Sequence, residues 1–223
     1  MNLRRVVCIV ALATTGAARV EAQTASSPQG RLQVSVGAGW LGGAGFGEQP
    51  ADLRTVSGSP YRLFESDTHL GGTGFFEARV GFALTKRVAI EGRAAVAKPE
   101  LQTTVSSDAE ISGSFTAVED IDQYIFDGGV LVRLDELQAL GLMPFAIGGL
   151  GYVRQLHEDQ RLVETGHLFY VGGGVMRELF SSPQGFIRSG SIRADLRLNV
   201  LSLELEEDSR PQGSVSASLV LTF

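Results

Sequence analysis

Polar and apolar positions alternate with period two over most of the chain. In residues 31–41, Leu32, Val34, Val36, Ala38 and Trp40 share one face, and Gln33, Ser35, Gly37 and Gly39 share the other. Successive side chains of a strand point to opposite sides, so this pattern predicts a strand with one apolar and one small or polar face. The pattern recurs at 74–85 (Phe76, Ala78, Val80, Phe82 and Leu84 against Glu77, Arg79, Gly81 and Ala83) and at 88–97 (Val88, Ile90, Gly92, Ala94 and Val96 against Glu91, Arg93 and Ala95). It returns at 122–134, where Tyr124, Phe126, Val130, Val132 and Leu134 oppose Asp127, Leu131 and Arg133. Residues 191–201 set Ile192, Ala194, Leu196, Leu198 and Val200 against Arg193, Asp195, Arg197 and Asn199. The last strand sets Val215, Ala217, Leu219, Leu221 and Phe223 against Ser214, Ser216, Ser218 and Thr222. Two Gly-rich stretches near 144–155 and 167–179 read as strands whose faces the sequence leaves unassigned, which brings the expected total to eight.

The connections divide into two kinds. Those at 42–73, 98–121, 156–166 and 202–213 are long and rich in Gly, Ser, Asp, Glu and Pro; those at Thr85–Arg87, Asp135–Leu142 and Ser181–Gly185 are shorter. Long and short connections then fall at opposite ends of the strands, as expected for a transmembrane barrel with short periplasmic turns and longer outer loops. The one helical window, Asp135–Leu142, reads as a turn. Trp40, Phe75, Tyr124, Tyr152 and Tyr170 are expected at the outer ends of strands, and Phe82, Phe145, Phe180 and Phe223 at the inner ends. Two such aromatic girdles belong where rings meet lipid headgroups.

Composition narrows the class. The 28 glycines among 223 residues are nearly twice the usual share and suit a tightly curved closed sheet. The net charge of −6, without a basic stripe, argues against a nucleic-acid binder. One cysteine, Cys8, excludes an internal disulfide, and three histidines leave little for a zinc site. At the N-terminus, Arg4 and Arg5 precede the apolar run Val6–Thr15, which is too short for a membrane helix, and Val20-Glu21-Ala22 forms a small-x-small cleavage site. Residues 1–22 are therefore expected to be a signal peptide, and 23–223 a single barrel domain.

The chain resembles the small eight-stranded outer-membrane β-barrel proteins of Gram-negative bacteria, of the OmpA-like or OmpX-like class. The resemblance covers about residues 31–223, and its sharpest element is the alternating end from Ser214 to Phe223. It implies that Leu219, Leu221 and Phe223 form the signal read by the barrel assembly machinery. It also implies periplasmic chaperones as biogenesis partners and outer-membrane lipid as the surroundings. Many members carry a glycine within this strand; here Gly213 stands just before it. The fold expected is all-β, an eight-stranded antiparallel up-and-down transmembrane β-barrel in the cell envelope, monomeric and in the outer membrane. Members serve as adhesins, evasion factors, anchors or enzymes, so fold does not settle function.

The polar faces carry Glu77, Arg79, Glu91, Arg93, Asp127, Arg133, Arg193, Asp195 and Arg197 among small residues. Alternation alone admits two readings of this face. In one it lines a lumen plugged by ion pairs, where the planar arginine fork suits a dry space. In the other it is the solvated exterior of a secreted lipocalin-like barrel that binds an apolar ligand inside. Only Lys86 and Lys98 are lysines, and a solvated face would carry more, which favours the lumen. Some barrels of this class modify lipid A through His with Ser or an acid. His69 near Ser66 and Asp67, and His157-Glu158-Asp159, are the residues to consider, but proximity in sequence is not a triad. Gly172-Gly173-Gly174 lacks the Lys and the helix of a phosphate loop. The sequence thus reads as non-enzymatic, without cofactor or metal, acting structurally or through outer loops 42–73 and 98–121.

Overall fold

The computed structural model describes residues 32–54, 60–106, 113–156, 163–182, 184–203 and 209–223. The expected signal peptide, with Cys8, and the segment 157–159 lie outside these residues. Twelve strands are described: β1 (Leu32–Leu41), β2 (Ala44–Arg54), β3 (Pro60–Leu70), β4 (Thr73–Ala83), β5 (Val88–Ala97) and β6 (Glu100–Ser106), then β7 (Phe115–Asp120), β8 (Asp122–Arg133), β9 (Leu142–Leu156), β10 (Val163–Ser181), β11 (Ser189–Leu203) and β12 (Arg210–Thr222). Eight of them close an antiparallel barrel in the order β1-β12-β11-β10-β9-β8-β5-β4. Closure is made by β1, which pairs with both β12 and β4, so that Val36 stands opposite Leu219 on one side and Ala78 on the other. These are the eight strands expected from the sequence, six from their alternation and β9 and β10 from their Gly-rich stretches.

The faces separate sharply. Phe76 is 72% exposed and Leu196 is 67% exposed on the outer wall, with Val36, Val80, Val171 and Val215 at comparable exposure around the circumference. A continuous apolar belt of this kind is incompatible with water and matches lipid. The shortest barrel strands have 10 residues, enough to cross a bilayer when tilted. Inside, Arg79, Arg193, Asp195 and Arg197 are buried. An apolar exterior around a charged interior is the reverse of a soluble, ligand-holding barrel, so the lipocalin-like alternative does not fit.

The long connections 42–73 and 98–121 are not loops throughout. They hold β2, β3, β6 and β7, which form a second sheet in the order β2-β3-β6-β7. This fin continues half of the barrel wall: β1, β4, β5 and β8 are adjacent below, and their chain continuations are adjacent above. Hydrogen bonds bridge the junction, from Gly71 N–H to the Glu100 carbonyl (2.7 Å) and from Ile121 N–H to the Pro99 carbonyl (3.0 Å). With 11 residues each, β2 and β3 are strands of roughly 35 Å, and β6 and β7 are shorter. Its strands escaped the alternation signal because neither face is buried, so segments such as Glu100–Ser106 carry no apolar stripe. Gly47, at φ 78°, occupies a bulge in β2 that a side chain would strain.

Two further expectations change. The connections expected at 156–166 and 202–213 are shorter, since β9 runs to Leu156, β10 starts at Val163, β11 ends at Leu203 and β12 begins at Arg210. The length asymmetry thus rests on the first two outer connections. Of the expected girdle, Trp40, Tyr152, Phe82 and Phe180 are exposed on the wall, but Phe75 (4%), Phe145 (3%) and Tyr170 (5%) are buried inside. Phe75 precedes Phe76, and neighbours in a strand must take opposite faces. Phe145 and Tyr170 lie in the Gly-rich strands, whose pattern carries no face signal.

Barrel pairing is complete without the fin. Joining Leu41 to Thr73 and Ala97 to Asp122 by short turns should therefore leave a folded barrel. Its heat-modifiable electrophoretic mobility and its denaturation midpoint in detergent should match the full chain; a variant that no longer folds would mean that the fin holds the wall together.

Candidate functional site

Four strands send long charged side chains into the lumen: Glu77 and Arg79 from β4, Glu91 and Arg93 from β5, Asp127 from β8, and Arg193, Asp195 and Arg197 from β11. The other four leave room. β12 presents Ser214, Ser216 and Ser218, β1 Gly37 and Gly39, β9 Gly149 and Gly151, and β10 Gly172 and Gly174. At Gly174, for example, a Cβ would collide with the Ala194 carbonyl and the Phe145 ring. An eight-stranded barrel is just wide enough to be filled by its own side chains, so each long one demands a small one opposite.

The eight charges form a closed alternating ring. Arg79 binds Glu77 and reaches Asp195 through Nη1 at 2.9 Å. Glu77 accepts from Arg93 Nη1 at 3.3 Å, and Arg93 Nε donates to Asp127 at 2.6 Å. Arg197 donates to Asp127 and to Glu91, each at 3.4 Å. Arg193 binds Glu91 and donates to Asp195 at 2.7 Å, which returns the ring to Arg79. Every guanidinium bridges two carboxylates and every carboxylate bridges two guanidiniums. Four positive and four negative charges cancel, which is the condition under which buried ions are tolerable.

Apolar layers enclose the ring. Toward the fin lie Leu41, Phe75, Ile125, Val153, Leu168 and Leu201. Toward the short turns lie Ala89, Leu131, Phe145, Ile147, Tyr170 and Met176. Two aromatic rings of that lower layer floor the charges: the Arg193 guanidinium carbon stands 4.5 Å from the Phe145 ring centre, and that of Arg197 4.8 Å from Tyr170. Low-dielectric walls on both sides strengthen the pairs.

Of the nine charged residues singled out in the sequence, eight meet in this ring and Arg133 does not. It lies at the short-turn end, half-buried, with Nη1 3.4 Å from the Lys86 carbonyl. Period two placed it on the inner face but could not tell its height. Cross-strand pairing between Glu77-x-Arg79 and Glu91-x-Arg93 is diagonal, because Arg79 stands directly opposite Arg93 and Glu77 bridges both. Ser216, which accepts from Arg79 at 3.0 Å, was not singled out, although the Ser-x-Ser-x-Ser spacing marked a small-residue wall. Leu219 lies on the outer wall, while Leu221 and Phe223 are half-buried. The Phe223 ring meets Phe186 edge-on at 5.1 Å, and its N–H donates to the Leu32 carbonyl at the barrel seam. Phe223 follows β12, which ends at Thr222.

The catalytic combination at Ser66, Asp67 and His69 is not assembled. Ser66 alternates with Asp67 and His69 along β3, so it faces the other side of the fin, and its hydroxyl donates to the Gln49 carbonyl at 3.2 Å.

No protein-family model matches the sequence, and no curated protein matches it. Among solved structures, the fold is similar to outer membrane protein OprG of Pseudomonas aeruginosa, at 8% identity over 87% of this chain and 97% of that one, TM-score 0.46. It is similar to the attachment invasion locus protein Ail of Yersinia pestis, at 11% identity over 87% and 99%, TM-score 0.40. It is also similar to the outer membrane protease OmpT of Escherichia coli, at 10% identity over 90% and 99%, TM-score 0.40. Likenesses this distant transfer no activity. The chain's own strand order, apolar exterior and charged interior give it the architecture of a small outer-membrane β-barrel protein.

Proposed function

We propose that this protein is a non-enzymatic outer-membrane barrel, closed to transport, that holds a β-sheet above the membrane for surface interaction. The carrying observation is the division of labour between the two sheets. The barrel spends its interior on a self-neutralising ring between two apolar layers, whereas the fin contributes nothing to barrel closure and exposes both faces. Among the described residues, β2 and β7 each have a single strand partner in the fin, so an edge of each remains open to strand addition. One fin face sets Glu48 opposite Asp67, and Glu100 opposite Asp120. Like charges directly opposite one another destabilise a sheet, and a basic partner surface would relieve them. The expected export signal, and the short turns at the opposite end of the barrel, support a fin on the outer side of the membrane.

The test has two arms. Purified protein in a planar bilayer should show no stable conductance, since the ring and its flanking layers leave no continuous water column; long-lived openings would make the chain a small porin. Cells displaying the full chain should retain a basic protein surface that cells displaying the fin-less barrel do not, and equal retention would remove the interaction role.

A further inference from the structure

We infer that the outer wall over β5, β8, β9 and β10 binds one phosphate-bearing lipid of the outer leaflet, its phosphate held by Arg154 and His167 and one acyl chain laid in the cleft below them. The inference rests on the membrane-spanning reading and deepens it.

The basic pair comes first. Arg154 stands opposite Tyr124 and Thr165, and His167 stands opposite Tyr152, which places Arg154 and His167 as diagonal neighbours on adjacent strands, about 7–8 Å apart. Both side chains are exposed on the lipid-facing wall near its fin end. Among the described residues neither has an acidic partner, whereas Lys98 at the same end is tied to Asp122 at 3.1 Å. Ionisable groups on a lipid-facing wall are costly unless they find a counter-charge. Here the counter-charge available is a headgroup phosphate, which a guanidinium grips with two parallel hydrogen bonds. Tyr124 and Tyr152 flank the pair, as interfacial phenols do.

A shallow, open cleft of about 840 Å³ lies beneath, with His167 and Tyr152 at its head, Ala94, Gly92, Gly128 and Leu150 along it, and Val80 of β4 and Val34 of β1 at its far end. The depression is not forced by packing. A Cβ on Gly92 would meet nothing nearer than the Asp127 carbonyl at 4.0 Å, and one on Gly128 nothing nearer than the Glu91 carbonyl at 3.7 Å. Inward glycines such as Gly151 and Gly172 have no such room. Glycine within a strand weakens it, so two facing outward ones, paired across β5 and β8, keep a furrow open where large apolar side chains would fit. The furrow offers an apolar bed for a hydrocarbon chain running down from a phosphate at the interface.

Native mass spectrometry of the full mature chain in neutral detergent tests this, with phosphatidic acid and the phosphate-free diacylglycerol of identical acyl chains as probes. The wild type should retain one phosphatidic acid about tenfold more tightly than diacylglycerol. Arg154→Gln with His167→Gln should bring the two lipids within about twofold of each other. Gly128→Leu, which fills the cleft and leaves Arg154 and His167 in place, should weaken phosphatidic acid severalfold. Glycerol phosphate at millimolar concentration should not displace the lipid. Equal retention of the two lipids by the wild type, or selectivity that survives the double substitution, overturns the phosphate site. Displacement by glycerol phosphate, or an unchanged Gly128→Leu, overturns the chain in the cleft. Alkaline extraction from vesicles reads membrane insertion separately, so a protein that washes off would defeat the membrane-spanning reading whatever its lipid preference.

Discussion

Arg79→Ala should lower the stability of the barrel by about 3–5 kcal/mol, the range for removing one partner of a buried ion pair. Arg79 is 2% exposed and touches Glu77, Asp195 and Ser216. Its loss breaks two links of the ring and leaves the buried Glu77 with Arg93 alone, while Asp195 keeps Arg193 and, at 3.8 Å, Arg197. Arg79→Lys should recover only part of the loss, because a single ammonium cannot bridge two carboxylates as the fork does. Arg133→Ala, outside the ring, should stay within about 0.5 kcal/mol of wild type. Denaturant titration in detergent, followed by the fluorescence of Trp40, the single tryptophan, measures all three. An Arg79→Ala midpoint close to that of Arg133→Ala would show that the ring is solvated and contributes little.

Gly174→Val should prevent formation of the barrel, while Gly128→Val should fold. Both glycines lie within barrel strands, and the two substitutions add the same atoms. At Gly174 the Cβ would strike the Ala194 carbonyl and the Phe145 ring on which Arg193 rests. Backbone cannot yield there without parting β10 from β11, where Gly174 stands opposite Asp195 of the ring. Overpacking of a closed interior costs about 1–3 kcal/mol even where side chains can move, and here the obstacle is a strand. At Gly128 the same Cβ points into lipid. Heat-modifiable mobility after refolding into detergent distinguishes the outcomes. A folded Gly174→Val barrel would mean that the lumen is looser than the ring geometry requires.

Six strands of the barrel were legible from their alternation, because each separates lipid from a packed lumen; in the Gly-rich β9 and β10 the inward glycines blurred that pattern and left only the strand, not its faces, to be read. Ile192 to Val200 against Arg193 to Asn199 is the clearest instance. The fin was not legible for the same reason: with solvent on both sides, Tyr61–Leu70 and Glu100–Ser106 had no cause to alternate. The charged members of the ring were visible as residue types on the inner face. Arg133 shared that face and was indistinguishable from them, since period two assigns a side and not a depth.

The sequence by itself determined the number of barrel strands, the faces of six of them and the presence of nearly balanced charges among small residues. All of these follow from local rules, the alternation of side chains along an extended chain and the intolerance of lipid for charge. Only the tertiary structure decided which charge meets which. The ring closes through β4, β5, β8 and β11, strands brought into reach by barrel curvature and register, and its longest-range pairs join residues more than a hundred positions apart, as Arg79 to Asp195 does. Closure also decided that Phe145 and Tyr170 floor the ring instead of lying in an aromatic girdle, and that two outward glycines form a furrow beneath Arg154 and His167. Such contacts depend on height and shear around a closed sheet, which no window of neighbouring residues encodes.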